Sequence, residues 1–177
     1  ARMELERVEM RRSYTRMQGF LQRAALENFL RGSSDWQELS HQLTTLQPTL
    51  DVARPVTMVI GKDAAARASE HLQSLLLADN ILAAQLSQLT TEFLIPENGT
   101  FVWLIQGSAA AAPPTPRYLY AVFEAMQQQL NDTANWPVSI VVGNPVPFER
   151  LSEQYSLLNR IYRMVDQGTG RLLIADE

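Results

Sequence analysis

Short apolar runs rich in β-branched residues alternate along this chain with longer segments in which apolar residues recur at helical spacing. Residues 56–60 and 138–143 are nearly continuous apolar runs that end at or beside a glycine, the pattern of strands buried on both faces. Such strands must be covered on both sides, and the amphipathic segments between them supply helices that can do so. The alternation therefore predicts an α/β domain built on one sheet.

The order of the predicted elements describes this sheet further. Asn98-Gly99 lies between two β-prone runs, and both residues tolerate a positive φ, so the pair predicts a tight hairpin turn. A break at 78–80 divides the helical segment before the hairpin into two helices. The full order, β-α-α-β-β-α-β-α-β, predicts a mixed sheet of about five strands with flanking helices. The predicted strands lie at 56–60, 93–95, 100–105, 138–143 and 171–174, and the helices at 64–77, 80–89, 118–130 and 151–165, the last ended by Gly168 and Gly170.

A long helix precedes this sheet. Residues 1–31 are rich in good helix formers, Gly32 supplies a left-handed stop, and Ser34 or Asp35 can cap a second helix at 36–46. We predict a linker or signalling helix at 1–31 and a regulatory domain at 32–177. Because residue 1 is Ala, already lies in the helix and follows no signal peptide, we expect the chain to be a segment of a longer protein.

Apolar residues on the first helix recur every seven residues and form one seam. The seam consists of Met3, Met10, Met17 and Ala24 in one series and Tyr14, Leu21 and Asn28 in the other. Such a seam either packs on the helix's own domain or pairs two helices, and about three heptads leave both alternatives open. We expect a homodimer through this helix. The seven Arg and four Glu of residues 1–31 are expected to form a solvated face rather than a nucleic-acid arm.

Composition excludes several kinds of function. The chain has no Cys, which excludes disulfides, thiolate zinc sites and a Cys nucleophile, and only two His, which disfavours a multi-His metal site. Its net charge of −4 argues against nucleic-acid binding, because phosphate contacts need clustered basic side chains. No apolar run approaches the length of a membrane-spanning helix. We therefore expect a cytoplasmic protein that has no membrane partner, metal or cofactor.

Several short motifs resemble those of the GGDEF (diguanylate cyclase) family and occur in the same order. The resemblance covers roughly residues 55–177 and implies a GGDEF-like, nucleotidyl-cyclase-like fold. The matching residues are Asp79 and Leu82 of a Gly-Asp-x-x-Leu motif, Glu97-Asn98-Gly99-Thr100-Phe101 at the signature hairpin, Ser139-Ile140 in the penultimate strand, and Ile161-Tyr162, Gly168 and Arg171-Leu172 in the closing helix and strand.

The departures from this family concern the residues that catalysis needs. A cyclase of this kind holds a pair of Mg²⁺ ions on carboxylates at the end of the first strand and in the hairpin. Here no acid precedes Asp63 at the strand end, and Gly99 and Thr100 stand at the acidic hairpin positions. We expect Asp63 to be a solvated helix N-cap, Glu97 to be an exposed turn residue, and the chain to have no catalytic, metal or cofactor site. The other departures are Glu97 and Asn98 at the paired glycines and Val165 at the family's lysine.

Degenerate domains of this family resemble the middle region of AraC-type response regulators, and a related one occurs in purine-catabolism-type regulators. The resemblance implies a non-catalytic regulatory and dimerisation module of a two-component transcription regulator, which relays a signal from a receiver to a DNA-binding domain outside this chain. DNA would be bound only by that C-terminal domain. The main alternative is a small-molecule or nucleotide sensor of a transcription regulator. An active cyclase and an extracytoplasmic sensor of the PAS type are the remaining alternatives.

Overall fold

The computed structural model describes residues 2–46, 49–63, 72–107, 112–134, 138–165 and 172–175. The chain divides into two compact units, Ala1–Pro48 and Thr49–Glu177. The first unit contains helix α1, Arg2–Leu30, and helix α2, Trp36–Leu46. The division therefore falls after α2, and not after residue 31 as the sequence predicted, because α2 packs with α1.

The turn between α1 and α2 explains why α2 belongs to the first unit. Gly32 has a φ of +78°, its N–H donates to the carbonyl of Phe29 at 3.1 Å, and the N–H of Ser33 donates to the carbonyl of Asn28 at 2.9 Å. These two bonds form a Schellman motif. The Asp35 carboxylate then accepts the N–H of Glu38 at 2.8 Å, so Asp35 is the N-cap of α2. The predicted stop and cap are confirmed, and together they form a structured corner between α1 and α2.

The second unit contains a five-stranded sheet in the order β2-β3-β1-β4-β5. Strand β1 pairs antiparallel with β3 and β4, β2 pairs antiparallel with β3, and β4 pairs parallel with β5. The predicted mixed α/β architecture with flanking helices and a long N-terminal helix is confirmed. The elements are β1 Val56–Lys62, α3 Leu72–Gln85, β2 Thr90–Glu97, β3 Thr100–Gln106, α4 Pro116–Ala134, β4 Ser139–Val146, a short 3₁₀ helix Phe148–Arg150, α5 Leu151–Val165 and β5 Leu172–Ile174.

The predicted break at 78–80 is wrong, because α3 runs through these residues without interruption. Ala78, Leu82 and Leu86 are buried at helical spacing, whereas Asp79 and Asn80 are exposed. Two polar residues whose side chains face solvent cost a helix little when its apolar face remains continuous. The first part of the predicted helix, residues 64–71, lies outside the described residues, as do Gly168 and Gly170.

The sheet separates two layers of helices. Helices α3 and α4 cover one face, where Trp103 packs against Phe93 and Phe123 with ring centroids 5.3 and 5.2 Å apart. Helix α5 packs against β1 and β4 on the other side, where Leu158 lies close to Gly143. Side chains alternate between the two faces along each strand, so the last residue of β1, Lys62, is placed on the same face as Ile60.

Candidate functional site

The end of β1 and the tip of the β2–β3 hairpin lie side by side, because these strands are antiparallel neighbours. Lys62 is paired with Thr100, and the N–H of Asp63 donates to the carbonyl of Gly99 at 2.9 Å, which extends the pairing beyond the strand. Gly99 has a φ of +79°, which its lack of a Cβ permits. The predicted hairpin turn at Asn98-Gly99 is confirmed.

The Lys62 side chain occupies the centre of this region. Its Nζ donates to Thr100 Oγ1 at 2.7 Å and lies 5.7 Å from the centroid of the Tyr162 ring, which the last turns of α5 bring to the site. The Thr100 side chain is buried. Lys62 thus links the strand end, the hairpin tip and α5 through a hydrogen bond and a cation–π contact.

Burial determines the electrostatics of this lysine. Desolvation lowers the pKa of Lys62 below its ordinary value, because removal from water disfavours the charged ammonium. The nearby Glu97 carboxylate opposes this by raising the pKa, and the Arg163 guanidinium lowers it further. Glu97 is exposed, as predicted, although it is the last residue of β2 as well as a neighbour of the turn.

These residues do not fit a pair of divalent cations. At the strand end and hairpin tip an ammonium bonds to a hydroxyl with the Glu97 carboxylate close by, and an ammonium at this place repels a metal ion. Within the described ranges, no group of three or more acidic or His side chains is placed to hold a metal. Asp63 is buried, at 7% exposure, so the expectation that its side chain is solvated is wrong. Val165 ends α5, but its side chain lies outside the described part of the chain.

Lys62 is the only lysine in the chain, so its titration can be followed without interference. We expect its midpoint to lie below the roughly 10.4 of an exposed lysine, because burial lowers its pKa in the folded state. The unfolded state then binds the proton more tightly than the folded state does. The free energy of unfolding should therefore rise with pH between the folded and unfolded pKa values of this group.

Lysine-selective ¹³Cε labelling would give a single NMR resonance whose shift against pH reports the midpoint. The matching stability measurement is the unfolding free energy of the wild type minus that of Lys62→Met, followed from neutral to alkaline pH. This difference should increase with pH, and the subtraction removes the contributions of the titratable groups that both proteins share. A midpoint at or above the ordinary lysine value would contradict the burial argument.

The second candidate site is the exposed part of the heptad seam of α1, which consists of Met3, Met10, Tyr14, Met17 and Leu21. These side chains are between 45% and 76% exposed. Within the first unit, this part of the seam is therefore not buried against α2. The buried residues of α1 form a different stripe near its C-terminal end. They are Gln22, Ala25, Leu26, Phe29 and Leu30.

The open surface along the seam carries both apolar and charged side chains. Met10, Tyr14 and Met17 supply its apolar surface, and Glu6 and Arg11 flank it. A row of large apolar side chains in water is unfavourable by about 25 cal/mol per Å² relative to burial. Such a row, bordered by charges, is the arrangement that a second helix can cover.

Sequence reasoning missed Lys62 and Tyr162 as parts of one site. The only signal in the sequence was that the single lysine follows a buried strand directly. Its contact with Tyr162 depends on how α5 crosses the sheet, which no local pattern specifies. The buried stripe of α1 was also partly missed, because the seven-residue series drew attention to the exposed side of the helix.

Comparisons of the chain with protein-family models, with curated proteins and with solved structures gave no match. None of the helices in the described ranges combines the length and the apolar character needed to cross a membrane. The features of the described residues that bear on function are the hairpin site and the α1 seam.

Proposed function

We propose that this chain is a non-catalytic regulatory and dimerisation module of a cytoplasmic, two-component transcription regulator of the AraC type. In this proposal α1 pairs with α1 of a second copy and couples an upstream receiver to DNA-binding helices outside residues 1–177. The single observation that carries the proposal is the exposed heptad seam on a helix of 29 residues. Packed helix interfaces have discrete alternative arrangements, so a paired helix can transmit a signal.

The non-catalytic part of the proposal is supported by the hairpin site. In a GGDEF-type cyclase the strand end and hairpin would carry the carboxylates that hold Mg²⁺ ions. In this chain Lys62 and Thr100 stand there and bond to each other. An ammonium that is already hydrogen-bonded and stacked on Tyr162 stabilises the hairpin tip and offers no ligand to a metal ion.

The order of elements supports the resemblance on which the parent protein is proposed. The hairpin, α4, β4, α5 and β5 follow one another in the order that the sequence motifs indicated. The parts of the proposal that concern the receiver, the DNA-binding helices and the location in the cell rest on this resemblance.

The experiment that tests the proposal measures mass in solution by sedimentation equilibrium for three proteins. The wild type should be a dimer, and the double variant Met10→Arg with Met17→Arg should be a monomer. Removing two buried methionines from each copy and adding charges should raise the dissociation constant at least about a thousandfold. The matched control is Val8→Arg, which makes the same kind of change on α1 outside the seam and should remain a dimer.

Two results would contradict the proposal. A wild type that stays monomeric at every concentration, or a Val8→Arg protein that dissociates as fully as the double variant, would remove the dimerisation part. Formation of a cyclic dinucleotide from GTP and Mg²⁺ would remove the non-catalytic part.

A further inference from the structure

We infer that the α1 helices of two copies pair parallel and in register, and that Glu6 and Arg11 set this direction. The inference rests on the proposed function, because it assumes that the seam joins two copies of this chain. It adds the orientation of the partner and the residues that select it.

The seam fixes the heptad position of every neighbouring residue. With Met3, Met10 and Met17 at position d, Tyr14 and Leu21 fall at position a. The flanking g positions are then Glu6 and Ser13, and the flanking e positions include Arg11 and Gln18. Charges at e and g determine partner choice and orientation in coiled coils.

A parallel pair brings opposite charges together. In this arrangement a g residue faces the e residue five positions later on the other helix, so Glu6 faces Arg11 of the second copy. The twofold symmetry of the dimer makes this pair twice. Ser13 faces Gln18 of the second copy, which is a neutral polar pair. Arg7, at an a position near the start of the seam, faces Arg7 of the second copy, so the parallel pair carries one like-charge contact beside its two attractive pairs.

An antiparallel pair brings like charges together. Here e residues face e residues and g residues face g residues. A pairing that overlaps residues 3–21 places Arg11 opposite Arg11 of the second copy. The longer overlap of residues 3–28 places Glu6 opposite Glu27 of the second copy. Each long antiparallel overlap therefore has a repulsion where the parallel pair has an attraction.

Both charged side chains are free to act between copies. Glu6 and Arg11 are exposed, and among the described residues neither side chain forms an ion pair within its own chain. They lie on the same open surface of α1 as Met10 and Tyr14. An ion pair between two helices is partly shielded from water when it lies beside the apolar seam, as this one would.

Single cysteines test the direction, because the chain has no cysteine of its own. In the parallel dimer the cysteines that Met3→Cys introduces on the two helices lie side by side. They should form a disulfide in high yield under mild oxidation. In the antiparallel overlap of residues 3–21 it lies opposite Leu21 of the second copy, about 27 Å from the other cysteine along the helix. A mixture of Met3→Cys and Leu21→Cys proteins would then form the mixed disulfide. The control is Tyr14→Cys. In the parallel and in the antiparallel arrangement, the cysteines introduced at this position lie within about one helical turn of each other. A short bismaleimide should therefore link them in both arrangements.

Charge exchange tests the role of Glu6 and Arg11. Glu6→Arg alone, or Arg11→Glu alone, should raise the dissociation constant of the homodimer about five- to thirtyfold, because two attractive pairs become repulsive. The double exchange should restore the wild-type value. An equimolar mixture of the two single variants should form heterodimers in preference to homodimers, since each pair is then attractive again.

The outcomes separate this inference from the proposed function. Self-linked Met3→Cys dimers together with compensation in the double exchange would support the parallel pair. A dimer in which Met3→Cys links only to Leu21→Cys would overturn the inference and leave the dimer intact. Equal dissociation constants for the single and double charge variants would overturn the role assigned to Glu6 and Arg11. A monomer under all conditions, with no link at Tyr14→Cys, would overturn both.

Discussion

Replacement of Gly143 by alanine is expected to lower the free energy of unfolding by about 3 kcal/mol. Gly143 lies where the β1–β4 register shifts, so that two residues of β4 oppose one residue of β1. A Cβ at Gly143 would lie 2.8 Å from the Met58 carbonyl oxygen and 2.8 Å from Gln154 Nε2. The Gln154 amide can rotate away, but the Met58 carbonyl belongs to the central strand and cannot move without disturbing the sheet.

The same chemical change at Gly19 is the matched control and should have the opposite sign. Gly19 lies inside α1, and apart from the adjacent helix backbone nothing lies within 4 Å of the position where a Cβ would lie. Alanine in a helix interior is more favourable than glycine by about 0.5 to 1 kcal/mol, so Gly19→Ala should stabilise the protein. Urea unfolding followed by circular dichroism measures both variants. Loss of less than about 0.5 kcal/mol at Gly143 would mean that the bulge relaxes to admit a methyl group.

Replacement of Gln106 by alanine should cost about 3 kcal/mol, since it removes three part-buried hydrogen bonds worth about 1 kcal/mol each. Gln106 is 1% exposed and ends β3. Its Oε1 accepts the N–H of Asp51 at 2.8 Å, and its Nε2 donates to the carbonyls of Asp51 and Arg54 at 2.7 and 3.3 Å. One side chain thus holds the backbone that leads into β1.

Two further variants separate the hydrogen bonds of Gln106 from its volume. Gln106→Glu keeps the size and the acceptor for Asp51 but loses both donated bonds and buries a charge, so it should be as harmful as alanine near neutral pH. Gln128→Ala removes the same side chain from an exposed position on α4 and should change stability by less than about 0.5 kcal/mol. Amide exchange at Asp51 should accelerate in Gln106→Ala. Unchanged protection there would show that the backbone finds other partners.

The sequence was sufficient to predict those elements that are specified by residues close together in the chain. The apolar run of β1, the Asn98-Gly99 turn and the Gly32 stop each act within a few residues, and each is found where it was predicted. Local propensity gave a wrong prediction where burial of a helix face decides the outcome. Asp79-Asn80 is typical of a helix break, but the buried face that includes Ala78 and Leu82 stabilises α3 across these residues. The strand order of the sheet was not predicted, because pairing between distant strands has no local signature.

The site was harder to predict than the fold because its members are far apart in the chain. Lys62, Thr100 and Tyr162 come from three different elements and meet only after the sheet and α5 have packed. Asp63 is buried and its N–H pairs with the carbonyl of Gly99, a contact between distant parts of the chain that a helix-capping argument does not include. The heptad seam was visible in the sequence, but its exposure could be established only from the folded chain.

The single lysine at the end of β1 has a practical consequence for proteolysis. A protease that cuts only after lysine has one target in this chain, the bond between Lys62 and Asp63. That bond follows the strand in the middle of the sheet, between β3 and β4, and the Asp63 N–H is held by Gly99. The strand must leave the sheet before a protease can take it into its active site, so fraying of helices or chain ends does not produce a cut. The rate of this one cleavage therefore reports how often the end of β1 separates from its neighbouring strands, without any label.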